Sequence, residues 1–271
     1  MPVLWLRVAV LFYAVGLAYA LVALTKGSHL IERIALPAMS FGMIFHFVSL
    51  TEALLTTQQL ITASIHNAES LLAFVIMLAF MVVYAVYRTA SPGIVAFPIV
   101  FLLTFVAATG QGPFLTPTEG LRKGWLLAHI AMIFTGYAAL FISCAASLLY
   151  LIQERNLKAK RPEGILGRLP ALGTIDEIGY RSLLLGFPFM TLGLIAGSVV
   201  AQSRFGPTYF TDSKVVLSLM MWAVYMVLLY VRWSAGWRGK KAAYLAAFAF
   251  AAAVVAWVAN FFSGVHRFVQ S

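Results

Sequence analysis

The chain has 271 residues, of which 62% are hydrophobic and 10% charged, and its mean hydropathy is +0.92. A water-soluble domain of this length has no interior large enough to hide so much apolar surface, so the solvent for most of it is a lipid bilayer. The net charge of +10 gathers beside the ends of apolar runs, where it fixes orientation and meets anionic headgroups; with no basic stripe interleaved with exposed aromatics, a nucleic-acid partner is excluded.

Spanning the hydrocarbon takes about 20 mostly apolar residues per helix. Eight windows supply them, at 4–24, 34–55, 69–88, 92–109, 124–152, 182–202, 214–233 and 242–263. Runs of this length read as helices, because barrel strands alternate over roughly ten residues. The expected fold class is an all-α, polytopic integral membrane protein of about eight transmembrane helices. Residues 1–271 form a single transmembrane domain in this reading.

The first window resembles a signal peptide at Ala18-Tyr19-Ala20, but Arg7 lies inside the apolar run and the run continues through Leu24, so it reads as a retained span. His29 follows in a polar link. The second window carries His46 at mid-span, where an imidazole is costly without a partner and is therefore a functional candidate. The link to the third window holds Gln58, Gln59, His66, Asn67 and Glu69. Solvation suffices for His66, and Glu69 suits a helix N-terminus. The fourth window opens at Pro92 and contains Pro98, which leaves its ends open.

Gln111 to Glu119 then leads to the fifth window. There His129 lies six residues beyond Lys123, about 9 Å along a helix. The single Cys144 in the same window rules out an internal disulfide or a CxxC motif. The longest polar interval, 153–181, is too short for a domain and is expected to extend the fifth span and then run along the membrane surface. After the sixth window comes Phe205-Gly-Pro-Thr-Tyr-Phe-Thr-Asp-Ser-Lys214, in which Asp212 is placed to cap the seventh span. His266 follows the eighth window. Imidazole is a common iron ligand, and His129 and His266 fall at similar depth. A histidine at membrane level is also often a helix contact, and spacing leaves both open.

Of the 19 Lys and Arg residues, 13 fall in the links after the first, third, fifth and seventh spans. Those links are cytoplasmic by the positive-inside rule, which puts both termini and the 205–214 segment on the extracytoplasmic side. No GxxxxGK[ST], HExxH or GxSxG pattern occurs, and no carboxylate pair converges on the outer links. No enzymatic activity is assigned.

Several of these segments together resemble the cytochrome c assembly protein family, which groups CcsA-, ResC-, CcmC- and HemX-like membrane proteins. Ala128-His129-Ile130 with Gly136-Tyr137 resembles the family's first outer-histidine helix. Leu149 to Lys158 resembles the helix exit after it, and Leu169-Pro170 and Tyr180-Arg181 resemble the approach to the next span. Phe205 to Lys214 stands where the family has a tryptophan-rich, Asp-Pro-Lys-containing loop. Ser218, Trp222, Tyr225, Arg232 and Gly236 to Lys240 continue the pattern, and Asn260 with Gly264-Val265-His266 resembles the second outer histidine.

The resemblance implies haem handling in cytochrome c maturation, in a bacterial-type cytoplasmic (inner) membrane and alongside other maturation proteins. By position it points to His129 and His266 as ligands to haem iron. It makes Phe205, Gly206, Tyr209, Phe210 and Asp212 the haem platform, and His46 the family's first transmembrane histidine. The sequence departs from the pattern where Phe205, Tyr209 and Thr211 replace platform tryptophans, Ser213 replaces the proline, and Tyr230 stands where a second transmembrane histidine is frequent. In these departures it resembles the HemX- or YpjD-like branch. That suggests a second reading, a non-catalytic accessory or regulatory protein without haem. A third, a small-solute transporter, would use His46 with Pro98 and Pro188.

Overall fold

The computed structural model describes residues 2–26, 30–57, 65–110, 121–159 and 169–258. The long apolar runs close their backbone hydrogen bonds internally as helices, the arrangement that lipid demands. In chain order these are α1 (Pro2–Lys26), α2 (Leu36–Thr57), α3 (Ile65–Tyr87), α4 (Gly93–Thr109), α5 (Leu121–Lys158), α6 (Leu172–Phe205), α7 (Ser213–Ser234) and α8 (Lys240–Val258). No strand occurs among the described residues. Seven of the helices are long and apolar enough to cross a bilayer, and Gly93–Thr109 is a shorter apolar helix. The protein is an all-α polytopic membrane protein, as its composition requires.

The helix bounds refine the sequence reading in three places. Pro92 directly precedes α4, where a missing N–H costs nothing, and Pro98 is accommodated inside the helix. α5 runs 38 residues, well past its apolar window. α6 starts at Leu172, ten residues before its window, so the second part of the 153–181 interval is helix and not a surface strand of chain. The closing part of the eighth window, 259–263, lies outside the described residues.

The helices pack as two groups joined along α3 and α5. α1 packs on α2 and α4, and α4 on α3; α5 packs on α6 and α8, and α8 on α7. Small residues permit the close approaches, as expected where lipid removes the hydrophobic drive between helices. In α8 a buried line of Ala242, Ala246, Ala249, Ala253 and Ala256 runs along its packed side. Between α5 and α6 the contacts are Gly136 on Met190 and Gly193 on Ile133, where an added Cβ would meet neighbouring atoms at 2.8 Å in each case. Cys144 is buried in α5.

At one end of the bundle, Asp176 of α6 receives both terminal nitrogens of Arg232 from α7, at 3.1 and 2.8 Å, and the Gly239 N–H at 3.3 Å. The guanidinium also lies 4.8 Å from the Tyr180 ring centre. Asp176 therefore fixes both sides of the turn between α7 and α8. α3, α5 and α7 start at the other end, which carries the candidate site.

Candidate functional site

His129 is the ninth residue of α5, and Gly197 is the ninth from the end of antiparallel α6, so the two meet at the same depth. That depth is about 12 Å from each helix end at 1.5 Å per residue. The imidazole lies against the Gly197 backbone: a Cβ at that position would come within 2.6 Å of Nδ1 and 3.2 Å of Nε2. Gly197 is helical with ordinary dihedrals, so the ring and not the backbone makes the notch necessary.

One turn deeper in α6, the carbonyl of Gly193 lies 2.6 Å from His129 Nδ1. A carbonyl only accepts, so Nδ1 carries the proton and donates. In the neutral ring Nε2 is then the bare nitrogen, and no hydrogen bond to it occurs among the described residues. A backbone carbonyl fixing one ring nitrogen while the other is presented is the usual preparation of a metal-ligating histidine.

Deeper along α5, aromatic rings from two helices meet one another. Phe134 and Tyr137 of α5 lie 5.7 and 6.3 Å from the Trp257 ring of α8. Lys214, in the first turn of α7, places its ammonium 5.7 Å from the centre of the same Trp257 ring, and its charge acts on His129. The residues present suit an iron porphyrin in kind: an imidazole nitrogen with no hydrogen bond among the described residues, aromatic side chains and a cation.

The segment after α6 has a defined backbone. Gly206 ends α6 with φ +65° and ψ −165°, a conformation that residues with a Cβ rarely adopt. A 3₁₀ turn over Gly206–Thr211 follows. Asp212 then caps α7, its carboxylate accepting from the Lys214 backbone N–H at 3.0 Å. The capping role expected from the sequence is therefore present, and it also sets the start of the helix that carries Lys214. Phe210 is 51% exposed. The side chains of Phe205 and Tyr209 lie outside the described residues, as does His266.

His46 lies elsewhere. It is fully buried in the α1–α3 region, with Nδ1 3.3 Å from the Tyr13 hydroxyl and Nε2 2.9 Å from the Ser70 hydroxyl. Phe74 meets the ring edge-on at 5.6 Å. Both nitrogens are engaged, so His46 presents no bare nitrogen in this conformation. Tyr230 of α7 is 63% exposed on the side of the bundle.

Sequence reasoning did not single out Asp176, although an acid flanked by a long apolar run is a visible signal for a buried cationic partner. Trp222, noted in the sequence only as continuing the family pattern, has a defined partner. The indole N–H donates to Thr191 Oγ1 at 3.0 Å, and the ring stacks on Phe187 at 5.8 Å, which ties α7 to α6 below the site.

Comparison with known proteins adds to this geometry. The family model described as "Cytochrome C assembly protein" matches residues 5–268. The chain is 34% identical over 132 residues to a cytochrome c biogenesis protein CcsA of Chlamydomonas reinhardtii, which covers 48% of this chain and 36% of that protein. To the CcsA of Heterosigma akashiwo it is 27% identical over 229 residues, 70% of each chain. To that of Crocosphaera subtropica it is 26% identical over 251 residues, covering 72% of this chain and 74% of that protein.

Proposed function

Since this chain belongs to the cytochrome c assembly protein family, we propose that it is a haem-handling membrane protein of cytochrome c biogenesis that binds or relays haem at the end of the bundle carrying His129. The observation that carries the reading is the Nδ1–H bond from His129 to the Gly193 carbonyl, which leaves Nε2 as the nitrogen with no hydrogen bond among the described residues. The excess of Lys and Arg in the links at the opposite end supports an extracytoplasmic location for this end. A bacterial-type cytoplasmic membrane is the setting that matches this topology, and the partners are other membrane proteins of cytochrome c maturation.

Haem, when bound, would supply an iron that takes imidazole nitrogen and a pair of carboxylates. His129 would hold the iron through Nε2, and the Gly193 carbonyl fixes the tautomer that leaves this nitrogen bare. His266 is the second imidazole in this reading. In this reading the Phe134, Tyr137 and Trp257 cluster would give the haem an apolar wall, and Lys214 beside Trp257 would give a cation complementary to its carboxylates. Gly206 and Asp212 shape the platform segment by turning and capping the backbone, and the resemblance assigns Phe205, Tyr209 and Phe210 to the same platform.

The test is to purify the protein in detergent, supply haemin and record the visible spectrum. A Soret band with a low-spin, six-coordinate signature is expected, altered in His129→Ala. A protein that takes up no haemin, or whose His129→Ala form has the parent spectrum, overturns the proposal.

A second reading, an accessory or regulatory subunit of HemX-like type without haem, is favoured by Thr211 at a platform-tryptophan position, since threonine has no ring to stack. Deletion that leaves c-type cytochromes at normal levels would decide for it.

A further inference from the structure

A second histidine at the same end of the bundle is built like His129. His66 is the second residue of α3, and its Nδ1 lies 3.3 Å from Glu69 Oε2, one helical turn on. A carboxylate only accepts when ionised, so Nδ1–H donates, and in the neutral ring Nε2 is the bare nitrogen. No hydrogen bond to that Nε2 occurs among the described residues. Both side chains are largely enclosed, at 23% and 16% exposure.

The ring is also seated on a glycine. Gly110 follows α4 with φ −71° and ψ 139°, a conformation open to any residue. A Cβ there would nevertheless fall on the imidazole, 2.5 Å from Nε2. Gly110 thus serves His66 as Gly197 serves His129: the backbone does not require glycine in either place, and the ring does. A surface His–Glu pair that only stabilised a helix start would need no such notch.

α3 and α5 start at the same end and pack on each other. Ala68, two residues after His66, is buried in one cluster with Phe134 and Tyr137.

We propose that His66 is a further axial-ligand residue for haem iron at this end, oriented by Glu69 and seated by Gly110. The proposal rests on the haem reading of His129. In this proposal His129 is kept throughout, and His66 and His266 are alternatives for the second imidazole, so one can replace the other as haem is passed on.

The experiment uses the full-length protein in detergent, loaded with haemin, with visible and electron paramagnetic resonance spectra of the iron. His266→Ala is expected to keep a low-spin, two-imidazole signal, because His66 takes the free position. Adding His66→Ala should convert it to high-spin. Adding Gly110→Ala to His266→Ala should do the same by displacing the ring without removing it, which covers the case where the double alanine form fails to fold. A His266→Ala form that is already high-spin, or a low-spin signal that survives both second substitutions, overturns the proposal. If His129→Ala leaves the parent spectrum unchanged, the haem reading itself falls, a result distinct from failure at His66 alone.

Discussion

Replacing Gly197 with alanine separates the placement of the His129 ring from its presence. The new methyl would lie 2.6 Å from Nδ1 and 3.2 Å from Nε2, so the ring must move. Its atoms are the far end of a side chain with two torsions, so the ring gives way more readily than the α5–α6 contact. Moving it breaks the 2.6 Å bond to the Gly193 carbonyl and loses the fixed tautomer. Removing such an orienting partner costs about 10–100-fold in metal affinity, or about 1.4–2.8 kcal/mol at 1.4 kcal/mol per tenfold. The effect on the fold is small. Alanine gains up to about 1 kcal/mol over glycine in a helix, against an overpacking penalty of about 1–3 kcal/mol. Gly173→Ala is the control, because no heavy atom lies within 4 Å of its added Cβ. Haemin titration followed at the Soret band, with thermal unfolding in the same detergent, reads both quantities. Weakened haemin binding with a near-parent melting temperature is expected for Gly197→Ala, and parent behaviour or slight stabilisation for Gly173→Ala. Parental haemin affinity and spectrum in Gly197→Ala would refute the argument that the notch positions the ring.

Other consequences concern the scaffold. Asp212→Ala should lower stability by about 1 kcal/mol through loss of the α7 cap, and Asp212→Asn should retain most of it; thermal melts of the two variants check this. His46→Phe leaves the Tyr13 and Ser70 hydroxyls without their imidazole partner, costing about 1–3 kcal/mol for each group left unsatisfied. Its haemin spectrum should match the parent, and a changed axial signature would show that His46 reaches iron in another conformation. Asp176→Ala removes the partner of Arg232, whose side chain is only 7% exposed. That should destabilise the protein by about 3–5 kcal/mol and loosen the α7–α8 turn, which proteolysis within 235–239 would report.

Periodicity and depth were legible in the chain because both follow from one-dimensional rules. Apolar runs of bilayer length give helices whatever their neighbours, and counting residues places His129 near one membrane end and His46 in the middle. Asp212 as a cap was equally local, since the motif sits within three residues of the N–H it serves. Ten residues at the start of α6 were missed because their polarity masks a helix held by Asp176 through partners 56 and 63 residues away.

The histidines divide the two kinds of information. Sequence alone determined that His46, His66 and His129 exist at given depths, because helix rise is fixed. It treated His66 as solvated and His46 as a candidate. Only tertiary structure decided which nitrogen each ring keeps bare, since that depends on an acceptor on another helix, or one turn along the same helix, and on a notch from a packed neighbour. Gly193 and Gly197 act on His129 from α6, and Gly110 acts on His66 from the end of α4. Tyr13 and Ser70 occupy both nitrogens of His46. A ring's chemistry is set by what touches its two nitrogens, and apart from Glu69 those partners are distant in the chain.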